Sequence, residues 1–149
     1  MTPTRTVLIV SFFGWLLACV ALAPARAQDK QDARPAATVL DGVYSEAQAA
    51  RGKTAYVENC SSCHGENLKG TTGPSLVGAD FIKAWDQHSV NAFLEEVRAT
   101  MPQDYPGQLP RPTYLDIVTY VLQSNEFPAG KDELPNDPDV LKSIKITKK

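Results

Sequence analysis

Apolar residues between positions 45 and 125 recur three or four residues apart, the spacing of an amphipathic helix. The clearest case follows Ser89, a residue suited to cap a helix, where the positions i, i+3, i+4 and i+7 hold Val90, Phe93, Leu94 and Val97. A second apolar face lies between Thr113 and Ser124 and consists of Tyr114, Ile117, Val118, Val121 and Leu122. We predict a helix at each of these places.

A third helix is predicted from its start signal rather than from its apolar face. The run Ser45-Glu46-Ala47-Gln48 is a capping box, so the helix should begin near Glu46 and continue to about Asn59. Gly52 lies inside it, where glycine costs about 1 kcal/mol relative to alanine. That cost favours a close helix crossing at Gly52, with a neutral surface glycine as the alternative.

The segments between the predicted helices read as loops. Residues 65–78 are rich in glycine and contain Pro74, and residues 100–112 contain Pro102, Pro106 and Pro110. No alternating strand pattern and no internal repeat is present in the sequence. The prediction is therefore an all-α fold with three main helices and long loops.

The first 27 residues resemble a secretory signal: Arg5, an apolar run, and the small-x-small sequence Ala25-Arg26-Ala27. We expect cleavage after Ala27 and residence in the periplasm. A retained membrane helix and lipidation at Cys19 are the alternatives. Residues 28–43 read as a flexible leader, residues 44–126 as the folded domain, and residues 127–149 as a C-terminal extension lying on that domain.

Composition narrows the class of protein. Removal of 27 residues from 149 leaves 122, enough for one domain with one core. The signal contains Arg5 and Arg26 and no acid, so the formal net charge changes from −2 to −4. A negative chain is poorly suited to bind nucleic acid, and we expect none as a partner.

The candidate functional residues form the motif Cys60-Ser61-Ser62-Cys63-His64. Two thiols separated by two residues and followed by histidine form the attachment site of a c-type haem. The thiols form thioether bonds with the haem vinyl groups, and His64 coordinates the iron. A dithiol redox site and half of a zinc site are the alternatives, but a zinc site needs two further ligands and only Cys19 and His88 remain.

The sixth iron ligand is predicted to be Met101. Once Met1 has left with the signal, it is the only methionine of the chain, and it lies 37 residues after His64. A thioether opposite histidine is typical of electron-transferring haem proteins and raises their reduction potential. Packing in the core is the alternative role for Met101, and His88 is the rival ligand.

These motifs together resemble class I cytochrome c over residues 45–125. The resemblance is carried by Cys60–His64, by Gly73-Pro74-Ser75-Leu76, by Thr100-Met101-Pro102 and by the last helix. It implies one haem c with iron, a cytochrome c fold whose loops wrap the haem, and a Pro74 carbonyl that accepts the Nδ1 proton of His64. It also implies that Gly52 and Tyr56 cross the last helix near Tyr120, and that Trp85 packs on the haem edge and donates to a propionate. Simple core packing is the alternative for Trp85.

The resemblance implies a one-electron carrier of the respiratory chain and not an enzyme. Residues 44–135 are also similar to small periplasmic cytochromes that accompany quinoprotein dehydrogenases. The expected partners are redox proteins: a quinoprotein dehydrogenase or a quinol-oxidising complex as donor, and a terminal oxidase as acceptor. Contact with a membrane is expected only through such complexes or through a lipid on Cys19. The alternative function is a haem enzyme or gas-binding haem protein with a labile sixth ligand.

Overall fold

The computed structural model describes residues 37–148 of the chain. The predicted signal peptide and cleavage site, Cys19 and the predicted leader up to residue 36 lie outside the described residues. Within them the elements are a 3-10 helix, Val39–Asp41, and six α-helices: α1 Glu46–Asn59, α2 Ser61–His64, α3 Gly78–Trp85, α4 Val90–Thr100, α5 Arg111–Ser124 and α6 Pro138–Ser143. Residues 37–148 contain isolated β-bridges but no strand. The predicted all-α fold is confirmed.

The three predicted helices are α1, α4 and α5. The Ser45 hydroxyl accepts a hydrogen bond from the Gln48 N–H at 3.2 Å, and the Ser89 hydroxyl caps α4 in the same way, through the Ala92 N–H at 3.1 Å. α5 begins at Arg111 instead of near Thr113, because Pro112 is accommodated in its first turn. No helix within residues 37–148 is long and apolar enough to cross a membrane.

Helix α5 is the centre of the core and packs along α1. Its consecutive residues 117–122 are all buried, which marks a helix surrounded by protein on most sides. At Gly52 the two backbones touch: a Cβ built there would overlap the Asp116 carbonyl oxygen and lie 2.5 Å from its carbon. The rings of Tyr56 and Tyr120 pack beside this crossing with centroids 5.3 Å apart. The predicted close crossing at Gly52 is therefore what the structure contains.

The described part of the predicted leader, residues 37–43, is packed, which corrects its assignment as flexible for those residues. Val39 is completely buried. Its N–H donates to the Lys145 carbonyl at 2.9 Å, and the Lys145 N–H donates to the Ala37 carbonyl at 2.9 Å. The few apolar residues among alanine, proline and charged residues form no periodic pattern, so the burial of Val39 against a distant segment left no local signal. The packed region begins before residue 44.

The extension after α5 packs against α1 and against the segment that precedes α1. Its buried apolar residues are Phe127, Leu134, Leu141, Ile144 and Ile146. Tyr44 donates through its hydroxyl to the Phe127 carbonyl at 2.6 Å. The Gln48 side chain bonds both backbone groups of Leu134, at 2.7 Å to the N–H and 3.2 Å to the carbonyl. The extension is thus tied to the segment before α1 and to α1 itself.

Replacement of Gly130 by alanine should destabilise the protein, because a Cβ there would overlap the Gly42 carbonyl oxygen and lie 2.8 Å from its carbon. Overpacking of this kind costs about 1–3 kcal/mol. Gly78→Ala is the comparison: its φ of 72° also disfavours a side chain, but nothing lies within 4 Å of the new Cβ. Denaturant midpoints should fall further for Gly130→Ala than for Gly78→Ala, and equal midpoints would contradict the contact.

Candidate haem-binding site

The two thiols and the histidine of the motif are presented by one short helical turn. α1 ends at Asn59, and α2 follows with Cys60 as its N-terminal cap. The N–H groups of Cys63 and His64 both donate to the Cys60 carbonyl, at 3.2 and 3.0 Å. Residues three and four apart on such a turn share a face. The local fold therefore places both thiols and the imidazole on one side.

The two thiols differ in environment. Cys60 is mostly enclosed, whereas Cys63 is exposed. Burial, with a smaller contribution from Cys63, raises the pKa of the Cys60 thiol to about 11. Before any bond forms at its sulfur, Cys60 is therefore a neutral thiol at physiological pH.

The imidazole of His64 is buried and held in a defined orientation. Its Nδ1 lies 2.8 Å from the carbonyl oxygen of Pro74. A carbonyl can only accept a hydrogen bond, so Nδ1 carries the proton and donates, and the lone pair of Nε2 is free to bind a metal. A bond of this kind fixes the ring of a metal-binding histidine and raises its basicity.

The glycine-rich loop after His64 folds back over the motif. The N–H groups of Thr71 and Gly73 donate to the Cys63 carbonyl at 3.0 and 2.9 Å, and the Gly70 N–H donates to the His64 carbonyl at 2.8 Å. Tyr56 adds a bond from its hydroxyl to the Gly65 carbonyl at 2.7 Å. The loop that supplies Pro74 is therefore anchored to the same turn that supplies His64.

Gly73 lies against the face of the His64 ring and leaves room only for a hydrogen. A Cβ at this position would lie 2.9 Å from Cε1 and 3.0 Å from Nδ1 of His64. Gly73→Ala should tilt the ring and weaken its bond to Pro74, so we expect a changed haem absorption spectrum and a higher reduction potential, because a less basic imidazole stabilises the oxidised iron less. Gly107→Ala is the control, because its nearest neighbour is the Arg98 carbonyl oxygen at 3.5 Å. Identical spectra and potentials for wild type and Gly73→Ala would contradict this assignment.

Met101 is the residue directly after helix α4, and both its backbone N–H and its carbonyl are hydrogen-bonded. Its N–H donates to the Val97 carbonyl at 2.8 Å. Its carbonyl accepts a hydrogen bond from the hydroxyl of Tyr114 in α5, at 2.7 Å. The sequence placed Met101 correctly after a helix but gave no sign of Tyr114, whose only local signature is membership of the apolar face of α5.

Trp85 and His88 lie at the opposite end of α4 from Met101. The Trp85 ring packs on Phe93 with centroids 4.7 Å apart and on His88 at 5.7 Å. His88 is exposed, and its Nδ1 lies 3.2 Å from the Asp86 carbonyl oxygen. The structure therefore places Trp85 in an aromatic cluster with Phe93, and His88 at the surface beside it.

The residues present fit a haem. The shared face of the motif offers two thiols and a free Nε2 lone pair, and Gly73 leaves the imidazole unobstructed. Two guanidinium nitrogens, Nε of Arg98 and Nη2 of Arg111, are buried without a hydrogen-bond partner. Such donors suit the carboxylates that haem carries. Residues 37–148 hold no group of three or more His, Cys, Asp or Glu arranged to bind a metal ion.

An all-α frame that presents two thiols beside a fixed imidazole is the arrangement of a haem-binding domain of the cytochrome c class. Residues 47–121 match the family described as cytochrome c oxidase, cbb3-type, subunit III, and the chain belongs to that family. The resemblance to cytochrome c and the predicted cofactor, covalently bound haem c with iron, are thereby confirmed.

Two curated relatives share part of the chain. Cytochrome c-551 of Bacillus subtilis (strain 168) is 34% identical over 64 residues, which cover 42% of this chain and 54% of that protein. The cbb3-type cytochrome c oxidase subunit CcoP of Azospirillum brasilense is 30% identical over 82 residues, which cover 50% of this chain and 28% of that subunit. The chain thus spans about half of the first relative and about a quarter of the second. No solved structure matches it.

Proposed function

We propose that this protein is a periplasmic one-electron carrier in which His64 and Met101 are the two axial ligands of one haem c. The observation that carries the proposal is the 2.8 Å bond between His64 Nδ1 and the Pro74 carbonyl, directly after the thiol pair. That bond prepares Nε2 as a ligand and holds it in one orientation. The bound haem supplies the one-electron chemistry, and the chain fixes the ligands so that neither has to move when the charge changes.

The position of Met101 supports its role as the second ligand. A neutral thioether opposite histidine favours the reduced iron relative to a second imidazole. The backbone of Met101 is fixed by Val97 and by Tyr114. A ligand held in this way keeps the coordination closed, which excludes dioxygen and peroxide and suits a carrier.

His88 is a poor alternative to Met101. His88 lies before α4 and Met101 directly after it, and α4 has eleven residues. At 1.5 Å per residue the helix is about 16 Å long, so the two residues cannot serve the same position on one iron. His88 is also exposed and engaged with the Asp86 carbonyl. We therefore assign it no bond to iron.

The alternative is a haem enzyme or gas-binding protein with a labile sixth ligand. The two classes differ in how the reduced protein binds carbon monoxide. We expect the wild-type protein to bind it poorly, since Met101 has to leave first. Rapid and tight binding by the wild type would favour the alternative.

The proposed location and partners rest on the sequence of the first 27 residues and on the relatives. The match to a protein named as a subunit of a cbb3-type oxidase supports a terminal oxidase as electron acceptor. A periplasmic quinoprotein dehydrogenase or a quinol-oxidising complex is the proposed donor. Reduction of the purified protein by each candidate donor, measured by stopped-flow absorption, tests the partner directly.

The exported protein is expected to begin at Gln28 and to carry one haem. The reason is the small-x-small sequence that ends at Ala27, followed by polar residues. Intact-mass measurement should give the chain of 122 residues plus one haem. A diacylglycerol-modified Cys19 at the N-terminus would instead show a lipoprotein.

A further inference from the structure

The last residues of the extension are bonded to the start of helix α4. The carbonyl of Ile144 accepts the Val90 N–H at 2.9 Å. Two positions further on, Ile146 donates to the His88 carbonyl at 2.9 Å and accepts the Gln87 N–H at 2.8 Å. Three backbone bonds therefore join residues 144–146 to residues 87–90.

The bond to Val90 meets a need that α4 cannot meet by itself. The first N–H groups of a helix have no partner within the helix and require one from outside. Ser89 caps the Ala92 N–H, while the N–H of Val90, the first residue of α4, is satisfied by the extension. Loss of Ile144 from this position would leave a buried N–H unpaired.

Side chains of the extension hold α4 at two further places. α6 packs against α4, and its Leu141 is completely buried. Asn136, just before α6, accepts a hydrogen bond from Nε of Arg111 at 2.6 Å. The same guanidinium is paired with Glu95 in the middle of α4. The extension thus contacts α4 at its start, along its side and through Arg111.

The two proposed iron ligands depend on different parts of the chain. The motif turn and the loop over it are bonded to each other and to Tyr56, and neither makes a hydrogen bond to the described part of the extension, residues 127–148. Met101 is instead the residue directly after α4, so its position follows that of the helix. Displacing residues 136–146 should therefore disturb the methionine side of the haem and spare the histidine side.

We propose that residues 136–146 are the seat of helix α4 and act as positioning residues for Met101, so that they set how firmly its sulfur is bound to iron. This inference rests on the proposed ligation by His64 and Met101. When the seat is loosened, α4 shifts, Met101 releases the iron in a fraction of molecules, and the open position takes external ligands. Haem attachment at Cys60 and Cys63 remains.

Two buried leucines of the extension provide a matched test. Leu141 packs in α6 against α4, whereas Leu134 is tied to Gln48 of α1. Both are almost fully buried, so Leu141→Ala and Leu134→Ala should lower the global unfolding midpoint by similar amounts. Asn136→Ala, at an exposed position, is the milder variant that should fold normally.

The readouts are carbon monoxide affinity of the reduced protein and the sulfur-to-iron absorption band of the ferric protein during heating. For Leu141→Ala we expect the band to disappear well below the global unfolding transition. We expect about tenfold tighter carbon monoxide binding when the open fraction rises by that factor. Asn136→Ala should shift both readouts in the same direction by less, and Leu134→Ala should lose its band only as it unfolds.

The outcomes separate the two proposals. Absence of the band in the wild type would overturn the ligation by Met101 and the seat with it. A wild-type band together with equal behaviour of Leu141→Ala and Leu134→Ala would overturn the seat alone. If Leu141→Ala does not fold, the comparison of Asn136→Ala with the wild type decides: unchanged affinity and an unchanged band would overturn the seat.

Discussion

Replacement of Met101 by leucine is expected to abolish the sulfur-to-iron absorption band of the ferric protein while leaving its fold intact. Leucine nearly conserves the volume of methionine, and swaps of this kind usually cost less than about 1.5 kcal/mol. The bond from Tyr114 to the carbonyl of residue 101 is made to the backbone and remains. The visible spectrum of the oxidised protein is the measurement.

Further substitutions at the same position show what the sulfur contributes. Met101→His should keep the iron six-coordinate and lower the reduction potential, because imidazole stabilises the oxidised iron better than a thioether. Met101→Ala should open a position for water or added ligands. His88→Ala is the control and should leave band and potential unchanged. Survival of the band in Met101→Leu would refute the assignment, and so would its absence from the wild type, in which case His88 is the next residue to test.

Replacement of Gly52 by alanine is expected to destabilise the protein although alanine is the better helix former. Propensity alone would favour the change by about 1 kcal/mol. The new Cβ would, however, overlap the carbonyl oxygen of Asp116 and lie 3.0 Å from Cβ of Tyr120. Backbone atoms cannot rotate away as a side chain can, so α1 and α5 have to separate along a buried interface.

The steric cost of Gly52→Ala should reach at least the value of about 1–3 kcal/mol that is typical of overpacking. That cost equals or exceeds the gain in helix propensity. Gly52→Val should lose more stability than Gly52→Ala. Urea midpoints of the haem-loaded protein give the comparison. The exposed neighbour Lys53 supplies a control, because Lys53→Ala should stay within about 0.5 kcal/mol of the wild type. A Gly52→Ala protein as stable as the wild type would mean that the crossing tolerates a methyl group.

The three long helices could be predicted because each carries its own local signal. The cap at Ser45 gave the start of α1, and the apolar spacing after Ser89 gave α4. α5 was found from its apolar face, but its start was placed two residues late. There the sequence offers Pro112 and no capping side chain, so the boundary depends on tertiary packing.

The shorter elements and the packed ends could not be predicted. α2 and α6 have four and six residues, too few to show a helical period. The pairing of residues 37–39 with Lys145 joins the first and the last segments of the described region. Its hydrogen bonds are made by backbone atoms that any residue supplies. Nothing in a local window indicates such a partner.

The motif residues and the contact of His64 with Pro74 were predicted, but the other residues that hold the site in place were not. Asn125 is an example: its amide donates to the Leu76 carbonyl at 2.9 Å and accepts the Gly78 N–H at 2.9 Å. It thereby ties the loop after Pro74 to the end of α5. In the sequence, an asparagine just past a helix indicates only an ordinary helix end. Its hydrogen bonds to the loop can be recognised only in the folded structure.

The parallel pairing of residues 37–39 with Lys145 has a mechanical consequence. In a parallel pair the incoming segment at Ala37 and the outgoing segment after Lys145 run in the same direction, so the chain enters at one end of the pair and leaves at the other. A tension applied between the two ends loads both hydrogen bonds at once, in shear, instead of opening them one after the other. Pulling the domain apart at the two ends of its described region should therefore strain these two backbone hydrogen bonds before it strains the motif turn at Cys60.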